Sequence, residues 1–116
     1  MKVVYIAGPY RGVNSWEMEK NIRRAEALAM QVWQSGLVAL CPHTNARYSF
    51  GVGPDSMWLD GDIEMMKRCD AVLFTEDWER SEGARTEYKV AQECGIPCFF
   101  TLEELLVEAE ALGKTA

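Results

Sequence analysis

The chain has 116 residues, which is enough for one domain with a single hydrophobic core, and we expect residues 1–116 to form it. Hydrophobic residues make up 48% and charged residues 26%, as is typical of a soluble globular protein. The net charge of −6 argues against binding a nucleic acid polymer or an anionic membrane surface, since either needs a basic face.

Two further features narrow the class of protein. No apolar run approaches the ~20 residues of a membrane span, and the N-terminal run from Val3 to Gly8 is strand-like rather than a secretion signal, so we expect a cytoplasmic protein. The chain has one His and four Cys, with only Cys94 and Cys98 close in sequence. This pattern does not predict a metal site.

Four apolar segments of strand length alternate with four helical patterns. The strands are predicted at Val3–Ala7, Leu37–Cys41, Ala71–Phe74 and Ile96–Phe100. The helices are predicted from a capping box at Asn14 to Gly36, over about 57–68, over Ser81–Cys94 with Gly95 as C-cap, and from a capping box at Thr101 to near Gly113, with residues 43–56 as a loop.

This alternation predicts an α/β fold. Strands that are apolar on both faces indicate a parallel sheet with helices on both sides. We expect a small doubly wound, flavodoxin- or Rossmann-like sheet of four to five strands in the order 2-1-3-4. Ligands of such sheets bind at the carboxyl ends of the strands, between the first and third strands here. The loops at residues 8–12 and 75–83 should meet at that point.

Glu87 is an acid on the apolar side of a predicted helix. It shares its face with Ala84 and Ala91, three positions before it and four after it. An unpaired carboxylate removed from water costs several kcal/mol, so chemistry or a hidden partner should explain it. The alternative is a partly exposed acid paired with a nearby cation, which would be Arg11, Arg85 or Lys89.

Asp62 repeats this pattern on the preceding helix. It shares a face with Leu59, Ile63 and Met66. Two carboxylates that point inward from neighbouring elements indicate a candidate active site. The alternative is a structural acid that is hydrogen-bonded to a nearby group.

The loop after the first strand and the start of the Ser81 helix predict an anion site. Gly8 allows the backbone to approach a ligand, and Arg11 can bind a phosphate or carboxylate. Across the crevice, the hydroxyl of Ser81 and the free amides near Gly83 suit an anion. Arg11 as a solvated loop cation and Ser81 as a plain N-cap are the alternatives.

Several other side chains could reach the crevice. Tyr5 is either a core ring or a hydroxyl donor at the site, and His43 follows the second strand. Trp58 and Trp78 are either core residues or a surface on which a flat ring stacks. A buried, ionised Glu near a bound anion suggests nucleophilic attack, and in a nucleotide the sugar C1′ is the natural target.

The chain resembles the nucleoside 2-deoxyribosyltransferase superfamily over about residues 2–98. The matching pieces are Val4–Gly12, Asp62 eight residues before Asp70, Cys69–Val72, Ser81–Glu87, and Ala91 with Gly95–Pro97. The resemblance implies that Glu87 is a nucleophile that forms a covalent glycosyl-enzyme. It also implies that Asp62 orients the nucleophile and assists at the sugar or base, and that Tyr5 lies beside the nucleophile.

Within that superfamily the chain is most similar to the deoxynucleoside 5′-monophosphate N-glycosidases. That branch has a serine six residues before the nucleophile, here Ser81, and an Arg-Gly pair after the first strand, here Arg11 and Gly12. The resemblance therefore implies that Arg11, Gly12 and Ser81 lie around a 5′-phosphate. From their places in the two facing loops, we expect Gly8, Pro9, Tyr10 and Gly83 to contact the substrate as well, together with His43 at the end of the second strand. The chain departs from the branch at Gly8–Tyr10, where a hydroxyl-bearing residue is usual, and at Glu82.

The first functional hypothesis is hydrolysis of (deoxy)nucleoside 5′-monophosphates to free base and sugar 5-phosphate, with no metal or organic cofactor. The second is base exchange on free deoxynucleosides, and the third is a module that binds a nucleotide without cleaving it. The resemblance also implies a homodimer or larger assembly with the site near the subunit interface.

Overall fold

The computed structural model describes residues 2–45 and 52–111, which form four strands and five helices. The strands are β1 Val3–Ala7, β2 Val38–Leu40, β3 Ala71–Phe74 and β4 Cys98–Phe99. The helices are α1 Ser15–Gln34, α2 Pro42–Asn45, α3 Asp55–Lys67, α4 Glu82–Glu93 and α5 Leu102–Ala111, with a short 3₁₀ turn at Trp78–Arg80.

The strands form one parallel sheet in the order β2-β1-β3-β4, which confirms the predicted fold class and strand order. β1 lies between its two partners, with Tyr5 opposite Leu40 on one side and opposite Val72 on the other. The carboxyl ends of β1, β2 and β3 therefore meet at the same edge of the sheet. No helix in the described part of the chain is long and apolar enough to cross a membrane.

The two faces of the sheet pack against different helices. Val4 and Ile6 belong to a core cluster that includes α1 and α5, whereas Tyr5 and Ala7 belong to one that includes α3 and α4. Successive side chains of a strand point to opposite faces, which produces this division. The phenol of Tyr5 therefore lies on the side of the sheet that carries Asp62 and Glu87.

Two strands are shorter than predicted because neighbouring helices use their terminal amides. Ile96 N–H donates to Ala91 at the end of α4 (2.9 Å), and Phe100 N–H donates to the carboxylate of Glu104 (3.0 Å). β4 is consequently limited to two residues instead of Ile96–Phe100. At β2, Leu37 N–H donates to Val32 at the end of α1 (3.4 Å), and the Cys41 carbonyl accepts from Thr44 in α2, so that strand is limited to Val38–Leu40 instead of Leu37–Cys41.

The predicted loop 43–56 is partly helical. Residues 42–45 form the one-turn helix α2, in which Thr44 donates to the Cys41 carbonyl through both its amide and its hydroxyl. α3 begins at Asp55, two residues before the predicted start. Residues 46–51 of this loop, and the predicted end of the last helix near Gly113, lie outside the described residues.

The predicted N-caps are confirmed, but at Thr101 the carboxylate of Glu104 accepts from Phe100 N–H instead of from the N-cap amide that a capping box uses. Asn14 Oδ1 accepts from Glu17 N–H (2.8 Å), and Thr101 Oγ1 accepts from Glu104 N–H (3.1 Å), so both side chains satisfy amides of a first helical turn. Gly36 and Gly95 follow the ends of α1 and α4 with φ of 87° and 73°. Such left-handed conformations favour glycine.

Gly8 allows the two central strands to end close together. Thr75 N–H donates to the Ala7 carbonyl (2.9 Å), and a Cβ atom on Gly8 would lie 2.8 Å from Thr75 Cγ2 and closer still to Oγ1. The loop that follows β1 therefore lies directly against the end of β3.

We expect Gly8→Ala to lower the free energy of unfolding by about 1–3 kcal/mol, because the added methyl overpacks against Thr75. The matched control is Gly61→Ala in α3, where a Cβ meets nothing within 4 Å. That change should raise stability by up to about 1 kcal/mol. Urea unfolding measures both effects, and a Gly8→Ala protein as stable as the wild type would contradict the close contact.

Candidate active site

A cavity of about 640 Å³ opens at the carboxyl ends of β1, β2 and β3. The segment after β1 contributes Gly8, Pro9, Tyr10 and Arg11 to its wall, and the segment after β2 contributes Pro42 and His43. Helices α3 and α4 form the remaining sides. The structure thus places the cavity where the topology of the sheet predicts a ligand.

Glu87 lies deep in this cavity. It shares the sheet-facing side of α4 with the buried residues Ala84 and Ala91, and only 6% of its surface is exposed. The hydroxyl of the fully buried Tyr5 donates a hydrogen bond to Glu87 Oε2. The alternative of a partly exposed acid paired with Arg11, Arg85 or Lys89 is therefore wrong. The buried carboxylate has a phenol as its partner.

Asp62 lines the same cavity from α3 and is half-buried. Its neighbours on the helix face, Leu59 and Ile63, are partly buried, and Met66 is fully buried. Asp60 and Glu64 are exposed, so Asp62 is the acid of this helical turn that faces inward. The structure brings together Tyr5, Asp62 and Glu87, which were predicted from three separate segments.

Burial sets the protonation behaviour of these groups. It raises the pKa of Glu87 to about 7, even though the hydrogen bond from Tyr5 lowers that pKa, and the charge of Asp62 adds to the rise. Burial also raises the pKa of Asp62 to about 6. The pKa of Tyr5 is raised far above its ordinary value by burial and by the two carboxylates. Tyr5 is therefore a permanent donor, whereas both acids exchange protons near neutral pH.

Arg11 and Ser81 both line the cavity, and each also has a partner within the protein. The guanidinium of Arg11 forms an ion pair with Asp55, at the first turn of α3. Ser81 Oγ accepts from Ala84 N–H (3.1 Å) as the N-cap of α4, and its O–H remains able to donate. Gly83 lines the cavity one turn before Glu87.

Gly12 lies outside the cavity lining, unlike the other predicted residues of its loop. A Cβ atom at this position would lie 3.0 Å from the backbone carbon of Glu17 and 3.1 Å from Met18 N. Gly12 therefore allows the loop to pack against the first turn of α1, which gives this glycine a structural role.

His43 is buried in the wall of the cavity, beside the ring of Tyr10. Its Nε2 lies 2.8 Å from the Pro9 carbonyl oxygen, and because a carbonyl only accepts, this nitrogen carries the proton. Burial lowers the pKa of His43, so the ring is neutral near pH 7. Nδ1 has no hydrogen-bond partner among the described residues. His43 therefore fixes the loop after β1 through Pro9.

The sequence reasoning missed two charged residues of the wall, Asp55 and Arg80. Arg80 directly precedes the predicted N-cap Ser81, so its position next to a predicted anion site was a usable signal. Asp55 lies in a stretch that was predicted as loop. Trp58 lines the cavity, whereas Trp78 packs against Phe74, so only Trp58 is placed to stack on a ligand.

Comparison with known proteins places the chain in a family. Residues 2–100 match the family described as a domain of unknown function, DUF4406. The chain belongs to the DUF4406 family. No curated protein matches the sequence of this DUF4406 chain.

Among residues 2–45 and 52–111, no group of three or more His, Cys, Asp or Glu side chains is arranged to hold a metal ion.

Two solved structures similar to this DUF4406 chain are 2-deoxyribosyltransferases. The one from Bacillus psychrosaccharolyticus has a TM-score of 0.60 and 20% identity, over 83% of this chain and 69% of its own. The one from Leishmania mexicana has a TM-score of 0.58 and 20% identity, over 84% of this chain and 62% of its own. The likeness establishes a shared fold.

We expect the stability of the protein to fall as pH rises from about 5 to 8, by up to ~3 kcal/mol from Glu87 alone. The pKa of this acid is about 7 in the folded protein and 4.5 as the reference, so the folded state holds more protons between these values. Glu87→Gln should flatten the curve of unfolding free energy against pH, measured by urea unfolding. The exposed Glu82→Gln is the control. Equal slopes in the wild type and Glu87→Gln would refute the raised pKa.

We expect Tyr5→Phe to raise the pKa of Glu87 above about 7, because the change removes the donor that stabilises the ionised carboxylate. Carbon-13 NMR titration of the glutamate carboxyl groups measures this shift. The matched control is Tyr88→Phe, whose hydroxyl contacts Gln92. A fall in the pKa of Glu87 in Tyr5→Phe would contradict the assigned hydrogen bond.

Proposed function

We propose that this protein is an enzyme that cleaves the N-glycosidic bond of a nucleoside-type substrate through a covalent glycosyl intermediate on Glu87. One observation carries the proposal. A nearly buried carboxylate is held by a phenol in a cavity that also contains a second acid with a raised pKa. Glycosyl transfer uses two carboxyl groups, one ionised and one protonated, and two neighbouring acids that both titrate near neutral pH can supply that pair.

The proposed first step breaks the bond between the sugar C1′ and the base nitrogen. Tyr5 O–H binds Glu87 Oε2 and orients the carboxylate. A carboxylate oxygen of ionised Glu87 attacks C1′ as the base leaves with the bonding electron pair. The departing base takes up a proton, for which Asp62 is the donor in the cavity. With pKa values of about 6 and about 7, the two neighbouring acids share a proton near neutral pH, and the reactive form is the one in which this proton lies on Asp62 and Glu87 is ionised.

The proposed second step releases the sugar. The positive charge that develops on the sugar in each transition state is stabilised by the ionised acids. Asp62, now ionised, accepts a proton from water as the water oxygen attacks C1′ and the bond to Glu87 breaks. The products are free base and free sugar, or sugar 5-phosphate. If a second base replaces the water, the same step exchanges bases.

A nucleoside 5′-monophosphate is the first candidate substrate. Ser81, Gly83 at the start of α4, and the two cations Arg11 and Arg80 all line the cavity. Free amides at a helix start and a nearby guanidinium suit a phosphate. The site that we propose therefore resembles that of a nucleotide hydrolase.

A free deoxynucleoside is the second candidate substrate, and specific observations favour it. Asp55 neutralises Arg11, and Glu82 adds a negative charge to the wall next to Ser81. Both acids oppose a phosphate dianion. The two similar solved structures described above are also 2-deoxyribosyltransferases. Base exchange on deoxynucleosides is therefore the alternative activity.

The homodimer implied by the sequence resemblance also stays a prediction.

The test is a panel of deoxynucleosides and their 5′-monophosphates, with release of base followed by chromatography. We expect Glu87→Gln to lower the rate of base release by about 10³-fold or more, as loss of a nucleophile does in other enzymes. Glu93→Gln, an exposed acid at the far end of the same helix and outside the cavity lining, is the matched control. Unchanged activity in Glu87→Gln would remove Glu87 from the mechanism.

The same panel separates the two activities. A hydrolase of nucleotides releases base from the 5′-monophosphates faster than from the nucleosides, and an added second base does not enter the product. A transferase incorporates the second base and does not need the phosphate. Saturable binding with no product over long incubation would leave a binding module and reject both reactions.

A further inference from the structure

Two arginines line the cavity, and their electrostatic surroundings differ. The guanidinium of Arg11 is paired with Asp55, which lines the cavity as well. One positive and one negative charge then face the ligand together at this position. Arg11 and Asp55 therefore add little net positive charge to the site, although Arg11 is the cation that the sequence predicted for anion binding.

Arg80 belongs to a group of three charged side chains, with Arg24 and Asp77, whose net charge is positive. Arg80 Nη2 and Arg24 Nη1 both donate to the same oxygen of Asp77, at 2.7 and 2.6 Å. Although burial opposes it, hydrogen bonds from Arg80 and Thr75 and the charge of Arg24 hold the pKa of Asp77 below its ordinary value. Two cations thus share one carboxylate, and one positive charge remains uncompensated within this group.

The guanidinium of Arg80 is held at one edge and open at the other. Its Nε and Nη2 both donate to Asp77. Its Nη1 donates no hydrogen bond within the described ranges, and Arg80, unlike Arg24, lines the cavity. Because a guanidinium is planar, the bonds to Asp77 fix the direction of the open edge.

Asn21 connects this group to the loop after β1. It is only 3% exposed, and its Nδ2 donates to the carbonyls of Tyr10 and Arg11, both at 3.2 Å. Its Oδ1 accepts from Arg24 at 3.3 Å and from Arg80 at 3.5 Å. The amide therefore uses its full hydrogen-bonding capacity to hold the two sides of the cavity mouth in register.

We propose that Arg80, rather than Arg11, is the main cation that binds the phosphate of a sugar-phosphate ligand in this cavity. The open edge of its guanidinium and the uncompensated charge of its group suit a phosphate oxygen. The identity of the sugar rests on the proposed function. The binding of phosphate does not, because it requires no turnover.

The experiment compares Arg80→Gln with Arg24→Gln. Each substitution removes one cation with the same two partners, Asp77 and Asn21, but only Arg80 lines the cavity. The probe is 2-deoxyribose 5-phosphate, which contains no glycosidic bond to a base, with 2-deoxyribose as the uncharged control. NMR titration of each protein variant with each of the two sugars gives Kd.

We expect Arg80→Gln to raise Kd for 2-deoxyribose 5-phosphate by about 10- to 100-fold, as for loss of a hydrogen bond between charged groups. Arg24→Gln should raise it by less than about threefold, which allows for the weaker long-range charge. Kd for 2-deoxyribose should stay the same in both variants. Arg80→Lys, which keeps the charge without the planar fork, should fall between the wild type and Arg80→Gln.

Three results would overturn the proposal: equal losses in Arg80→Gln and Arg24→Gln, no loss in Arg80→Gln, or an equal loss for the sugar with and without phosphate. The outcome is independent of catalysis. If phosphate binding depends on Arg80 while no base is released from any member of the nucleotide panel, the inference stands and the proposed glycosidic cleavage fails.

Discussion

The hydrogen bond from Tyr5 to Glu87 is the interaction on which the site depends. A carboxylate that is this deeply buried would cost several kcal/mol without a partner. The phenol of Tyr5 supplies that partner from strand β1, so a side chain of the sheet fixes the position of a side chain of α4. The same burial that makes the group costly raises its pKa towards neutrality. The burial of Glu87 therefore has two effects: it costs free energy of folding, and it brings the titration of this acid close to neutral pH.

Much of the fold follows from local patterns in the sequence. Four apolar runs, helix caps at Asn14 and Thr101, and glycines after two helices predict the element order, and the alternation predicts a parallel sheet. The ends of the elements do not follow in the same way. Ile96 and Phe100 have strand-like sequence, but their amides bond to a helix end and to Glu104, and such competition is set by tertiary contacts.

The candidate site was also predictable only in part from the sequence. The helical stripe of small residues around Glu87 predicts its burial, because periodicity alone determines which side of α4 faces the sheet. The pairing of Arg11 with Asp55 could not be predicted, since these residues are 44 positions apart and the pairing depends on side-chain conformation. The sharing of Asp77 by two arginines is a similar case. Sequence thus indicates which acid is buried but not which cation stays uncompensated.

The lengths of the outer strands limit how copies of this protein could assemble. β2 has three residues and β4 has two, so each border of the sheet exposes only a short row of backbone groups. Long, flat borders invite another chain to add a strand and to aggregate edge to edge. With such short borders, a continuous intermolecular sheet has little template, and the backbone of this protein is poorly suited to fibre growth.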